Sequence, residues 1–283
     1  MTSHTSTPTS SEATPTPEAG SGLRRITGAL FLGGAVAFAV AATALTSTFD
    51  WPDILREPAG VVLPAFADGG ASLVWTWFAT AWTYGILVVP ILLLPAVVGR
   101  RHDPALRVAT YAGALSVVLS LIGFLRWVFV VPPLARSYVD GDATTKAAVD
   151  AAWTAQHQLG GALLGEHLGQ LLVIGWSATL SVIILRSRIL PRWLGVTGLA
   201  VSAIYLLNQG DILATALPGF PVWDLAGLIG STGWGLWVAV LGGTVLLRPI
   251  RGGIASGNDA VGLPLARTPA PIPSAGAGRR SSP

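Results

Sequence analysis

The chain has no cysteine. That excludes a disulfide framework, thiolate-held metals and a Cys nucleophile. It is also poor in charge, with 17 Lys and Arg and 14 Asp and Glu in 283 residues, or 11%. A soluble domain carries about 25%, and so few charges cannot cover a soluble globule of this size. A cytosolic enzyme and a disordered chain are excluded. With a net charge of +3 and no basic stripe, so is a nucleic-acid partner. Histidine is scarce as well: His4, His102, His157 and His167 are the four. His157 and His167 are about 15 Å apart along one helix, too far to share an iron, so no haem or metal site and no cofactor is expected. Phosphate-binding glycine loops, catalytic triads, kinase motifs and glycosidase carboxylate pairs are missing too.

What is present is apolar. Hydrophobic residues make up 52% and Gly adds 34 more. Six stretches, near 25–46, 71–98, 106–131, 155–185, 194–217 and 223–247, are each long enough to cross a hydrocarbon layer of about 30 Å. Lipid offers the backbone no partners, so they must be helices. The expected fold is an all-α, polytopic integral membrane bundle of six transmembrane helices over residues 23–250. Residues 1–22 and 251–283, rich in Ser, Thr, Pro, Gly and Ala, read as disordered cytoplasmic tails.

Direction follows from the cations. Thirteen of 17 fall on one side: Arg24, Arg25, Arg100, Arg101, Arg107, Arg186, Arg188, Arg192, Arg248, Arg251, Arg267, Arg279 and Arg280. The opposite loops hold Arg56, Arg136 and Lys146 and most of the acids. Both termini are therefore expected in the cytoplasm of a cell with the protein in its inner membrane. Trp75, Trp77, Trp127, Trp153, Trp193 and Trp223 fall near span ends, where indoles favour the headgroup boundary. An alternative reading of the start is a cleaved signal ending near Ala42-Thr43-Ala44, but the apolar run 26–46 exceeds a signal core of about 7–15 residues.

Gly161, Gly165 and Gly169 form a doubled small-xxx-small pattern that admits a close neighbour. Packing within the chain is one use, and a homo-oligomer contact is the other. Pro90 and Pro95 are expected to kink span two, and Pro132-Pro133 to end span three.

Ionisable groups inside a span mark candidate sites. Arg126 in span three, Glu166 in span four and Asn208 and Asp211 in span five fall at similar depth in the outer half. His157, His167, Gln170 and Gln209 lie nearby. Glu166, Gln170 and Ser177 share one helical stripe, and the glycines form an adjacent one. Three readings stay open: a structural Arg126–Glu166 pair, a site in which Glu166 exchanges protons with a ligand while Arg126 holds an anionic head group, and an Arg126 that snorkels to the headgroups. The outer loop Asp50–Pro58 could lie as a short amphipathic helix over this layer, or Asp53 could simply start a helix.

The run Leu185-Arg186-Ser187-Arg188-Ile189-Leu190-Pro191-Arg192-Trp193-Leu194-Gly195 resembles the span four to span five turn of an uncharacterised bacterial six-span membrane family, the domain of unknown function 4386 family. Trp234-Gly235-Leu236-Trp237 is similar to that family's closing segment. The resemblance is clearest over residues 155–247. It implies six helices in a membrane and supplies no reaction. The leading expectation is a membrane protein that binds a lipid or small apolar molecule from the outer leaflet. The alternatives are an intramembrane enzyme on a lipid or isoprenoid, with Glu166 or Asp211 as acid/base, and a small-solute transporter. The last usually shows internal repeats, and none is evident.

Overall fold

The structure, a computed structural model, describes residues 17–247. The stretches 1–16 and 248–283, which take in most of both expected tails, lie outside the described residues. Among those described there are only helices: α1 (Pro17–Phe49), α2 (Ala59–Gly85), α3 (Val88–Val97), α4 (Pro104–Phe129), α5 (Val131–Asp140), α6 (Ala143–Gln156), a π-helix (His157–Leu168), α7 (Gly169–Ser187), α8 (Arg192–Leu207), α9 (Gln209–Ala214) and α10 (Asp224–Leu247). They make six continuous apolar passes, as the sequence predicts. α1 begins at Pro17, inside the stretch expected to be a tail.

The spans close into a ring in chain order. α1 packs on α2, α2 on α4, α4 on α7, α7 on α8, α8 on α10, and α10 returns to α1. The closure is tight because Gly28 and Gly242 bring two backbones together. A Cβ on Gly28 would lie 2.7 Å from Leu246 N, and one on Gly242 would lie 2.6 Å from Leu32 N. Arg24 Nη1 donates to the carbonyls of Val245 and Leu246 at 3.1 and 3.0 Å, satisfying acceptors that the helix end leaves without partners. The first span is thus an integral wall of the bundle.

Three passes run to 39, 37 and 45 residues, well beyond the roughly 20 a membrane requires. The excess lies at the acid-bearing end. There the first turns of α2, with α5, α6 and the loop after α1, build a cap with its own core: Leu45, Phe49, Leu63, Phe66, Trp77, Trp127, Trp153 and their neighbours. Trp77 stacks on Trp127 at 4.7 Å, with Phe49 edge-on at 5.4 Å. Trp77, Trp127 and Trp153 were expected at the headgroup boundary, but they are buried in this cap. Trp75, Trp193 and Trp223 are exposed, as interfacial indoles would be.

Local breaks follow proline and glycine chemistry. Span two divides at Ile86–Leu87, between α2 and α3. Ile86 is four residues before Pro90, where the ring would meet a helical carbonyl. Span two also starts earlier than expected, at Ala59, and bends at Gly70 (φ 55°), the point taken as its beginning. Pro132-Pro133 do not end span three. They open α5 after a break at Val130, since the first helical turn needs no proline N–H.

The α4 N-terminus is capped by Asp103, which accepts from Ala105 N at 3.1 Å and Leu106 N at 3.2 Å and pairs with Arg100 at 2.8 Å. The hydrogen bond from Leu106 N, more than the others, holds its carboxyl below the ordinary value despite some desolvation. This contribution is present above the ordinary carboxylate range and is lost as pH falls through the lowered value. Asp103→Ala should therefore lower the midpoint of thermal unfolding at neutral pH, and the difference from wild type should vanish under strongly acidic conditions. Gly242→Leu should destabilise by about 1–3 kcal/mol through overpacking, read as a lowered melting temperature in detergent with α10 amide exchange accelerated.

Candidate functional site

The polar layer lies where the bundle meets its cap. At 1.5 Å per residue from the Arg-bearing ends of their helices, Arg126 on α4 sits at about 33 Å, Glu166 before α7 at about 31 Å and Asp211 on α9 at about 29 Å. The three share a level, as their sequence positions imply. That distance is about the thickness of a hydrocarbon layer, roughly 30 Å.

Two interruptions of regular helix face each other there. Residues 157–168 wind as a π-helix, a rare form that recurs at functional sites. Span five breaks at Asn208, with Asn208 N bonding back to Tyr205 O and Asp211 N to Asn208 O. Irregular backbone at this depth survives only against protein or a wet cavity.

A third element arrives from the loop after α1. Asp53–Arg56 form one 3-10 turn, pinned by buried Ile54 and Leu55. This is the loop expected to overlie the polar layer, and it reaches inward. Arg56 Nη2 donates to Glu166 Oε2 at 2.7 Å and to Asp211 Oδ2 at 2.6 Å, and its Nε donates to Asp211 Oδ2 at 3.1 Å. One guanidinium thus joins the connection between spans one and two to spans four and five. Burial disfavours its charge, but attraction to Glu166 and hydrogen bonds to Asp211 and Glu166 outweigh that and raise its proton affinity above the ordinary. The three side chains remain part-open, at 30%, 18% and 34% exposure.

Beside the triad runs a chain of amides. His167 Nδ1 meets Gln209 Oε1 at 2.7 Å, and Gln209 Nε2 and Asn208 Nδ2 both donate to Gln170 Oε1, at 3.0 and 3.1 Å. Since Gln209's amine is engaged, its oxygen accepts, which places the His167 proton on Nδ1. Ser177 and Ser202 continue the seam at 3.0 Å. The expected polar stripe of Glu166, Gln170 and Ser177 therefore meets span five.

The glycine stripe meets span three. Gly165 lies against Gly123, Gly169 against Ser120, and Gly161 beneath the guanidinium of Arg126. The stripe is filled within the chain.

Arg126 overturns two expectations. It forms no ion pair with Glu166 within 4.0 Å, because that carboxylate turns to Arg56. Nor does it snorkel, being only 7% exposed. It lies over Trp127, 5.4 Å from the ring centroid, with Nε unpartnered. His157 is buried and stacks on Trp153 at 5.1 Å.

The eight sequence candidates fall into two groups. Glu166 and Asp211 hold Arg56, with His167, Gln170, Asn208 and Gln209 bonded to one another beside them. Arg126 and His157 are more buried. Arg56 and Gln156 were not foreseen. The signal for Arg56 was the pair of apolar anchors beside it and two acids needing a cation. The apolar surface grooves between α1 and α2 are lined by other residues.

The two pairings give different coupling energies. In double-mutant cycles on thermal stability, Arg56 and Glu166 should couple by at least about 0.5 kcal/mol, and Arg126 with Glu166 by less. Arg56→Gln alone should cost between the about 0–1 kcal/mol of an exposed pair and the about 3–5 kcal/mol of a buried one. Equal coupling of both arginines would contradict the observed pairing.

Among comparisons with known proteins, one family model matches residues 26–242, described as a domain of unknown function (DUF4386). No curated protein matches the chain, and no solved structure does.

Proposed function

The chain belongs to the DUF4386 family of domains of unknown function, and from the polar layer we propose that this multi-pass membrane protein binds a lipid or other small amphiphile from the outer leaflet. The observation that carries the reading is the part-open Arg56–Glu166–Asp211 triad, set between two helices of broken winding. A purely structural clasp would be expected to close over its charges. Here up to a third of each side chain faces outward, while amides and serines satisfy one another behind it. An amphiphile would place its polar end against this layer and its chain along the bundle. The cation distribution supports an outward-facing position for this end.

The same arrangement bears on the enzymatic alternative. Glu166 engages Arg56 through Oε2, while its Oε1 is buried and unpartnered. A carboxylate oxygen with no partner is a place for a substrate proton. Glu166→Gln keeps the shape and removes that chemistry. If the protein only binds, the variant should retain the amphiphile that co-purifies in mild detergent, identified by mass spectrometry. If it turns a lipid over, substrate should accumulate on the variant and product on the wild type. Recovery of the wild type with no amphiphile in several detergents would sink both readings.

The orientation has its own test, helped by the missing cysteines. His102→Cys lies exposed in the Arg-bearing turn and Asp140→Cys exposed at the cap. In intact cells an impermeant maleimide should label Asp140→Cys and spare His102→Cys. The reverse pattern would invert the topology.

A further inference from the structure

Arg126, His157 and Gln156 hold a concentration of unmet polar demand. Arg126 and His157 are 7% and 9% exposed, and the side-chain oxygen and nitrogen of Gln156 are both fully buried. Among the described residues, Arg126 Nε, His157 Nδ1, both polar atoms of Gln156 and Glu166 Oε1 have no partner. Gln156 directly precedes His157 in the chain, His157 interacts electrostatically with Arg126, Glu166 and Arg56, and the Arg126 guanidinium lies against Gly161, where a Cβ would collide with Nη1 and approach Cζ to 2.5 Å. A burial this complete ordinarily leaves a native protein few unpaired groups, and a buried guanidinium with no carboxylate within 4.0 Å is costly.

The charge allocation is lopsided. Arg56 holds two carboxylates, Glu166 and Asp211, and Arg126 holds none. The available acid has been drawn to the part-open rim, leaving the buried cation for something else. Unmet donors on Arg126 and the Gln156 amine call for an anion. The unmet acceptors, the Gln156 oxygen and Glu166 Oε1, call for a donor on the same ligand. A bare carboxylate offers no donor. A phosphate bearing a hydroxyl, either its own or on its ester substituent, supplies both.

We propose that Arg126, with His157 and Gln156, binds the phosphate head of a membrane amphiphile whose head also carries a hydroxyl donor, with the Arg56 turn forming the rim of the entrance. This rests on the amphiphile-binding reading above and names the head group. The level of about 33 Å along α4 is where a bilayer carries its phosphates. The surrounding aromatic rings, Trp127 beside Arg126 and Trp153 beside His157, keep water from competing for the guanidinium.

The experiment uses the full chain purified in a neutral maltoside detergent. Binding is followed by thermal shift and by native mass spectrometry. Three probes are compared: dodecyl phosphate, inorganic phosphate, and a neutral monoacylglycerol of equal chain length. Dodecyl phosphate should bind saturably and at least tenfold more tightly than either of the others. Arg126→Gln should lose at least tenfold in affinity for dodecyl phosphate and little for the neutral probe. If that variant fails to fold, Gln156→Leu, on the half-buried cap side, should weaken dodecyl phosphate at least threefold with the neutral probe unaffected. Equal binding of the neutral and phosphate probes would overturn the head-group assignment while leaving amphiphile binding in place. Equal binding of inorganic and dodecyl phosphate would make the ligand a soluble anion and overturn the membrane source. Absence of binding by all three would remove this proposal and the reading beneath it. Full phosphate preference in both variants would exclude these residues as the site.

Discussion

One guanidinium organises the functional end of this molecule. Arg56, on a turn pinned by Ile54 and Leu55, takes the acids of two spans at once. It draws Glu166 away from Arg126. Asp211 is held beside the break in span five. An arginine suits this role because its planar fork can meet two carboxylates without losing its charge. A lysine would offer a point charge and no such division.

Much of this architecture is written in the sequence in coarse form. Six apolar runs, their alternation of charge and the level shared by Arg126, Glu166 and Asp211 all survive in the structure. Those features depend on composition and on rise per residue, which are local quantities. The face assignments of span four also survive: glycines toward span three, and Glu166, Gln170 and Ser177 toward span five. They hold although the winding between His157 and Leu168 is not α-helical, because the contacts themselves fill both faces.

What could not be read was the choice among partners. Glu166 had two arginines within conceivable reach, and spacing along one helix cannot decide between a neighbour on the next span and a residue over a hundred positions earlier. That decision belongs to Ile54 and Leu55, whose burial aims the turn. The same holds for Trp127 and Trp153. Their positions near span ends fit a headgroup belt, but long helices and a second aromatic core lift them into protein. Span length alone hides this cap, since hydropathy continues past the membrane into an ordinary buried core.

The junction of α1 with α10 sets a timetable for assembly. The wall that Arg24 and Gly28 contribute is synthesised before its counterpart α10, which ends at Leu247. Until then α1 has a glycine-notched flank uncovered and is held by its contacts with α2, α3, α4 and α7. The ring is therefore sealed only after synthesis of the sixth span, and a chain interrupted before α10 would present an open seam to the bilayer and to the machinery that clears unfinished membrane proteins.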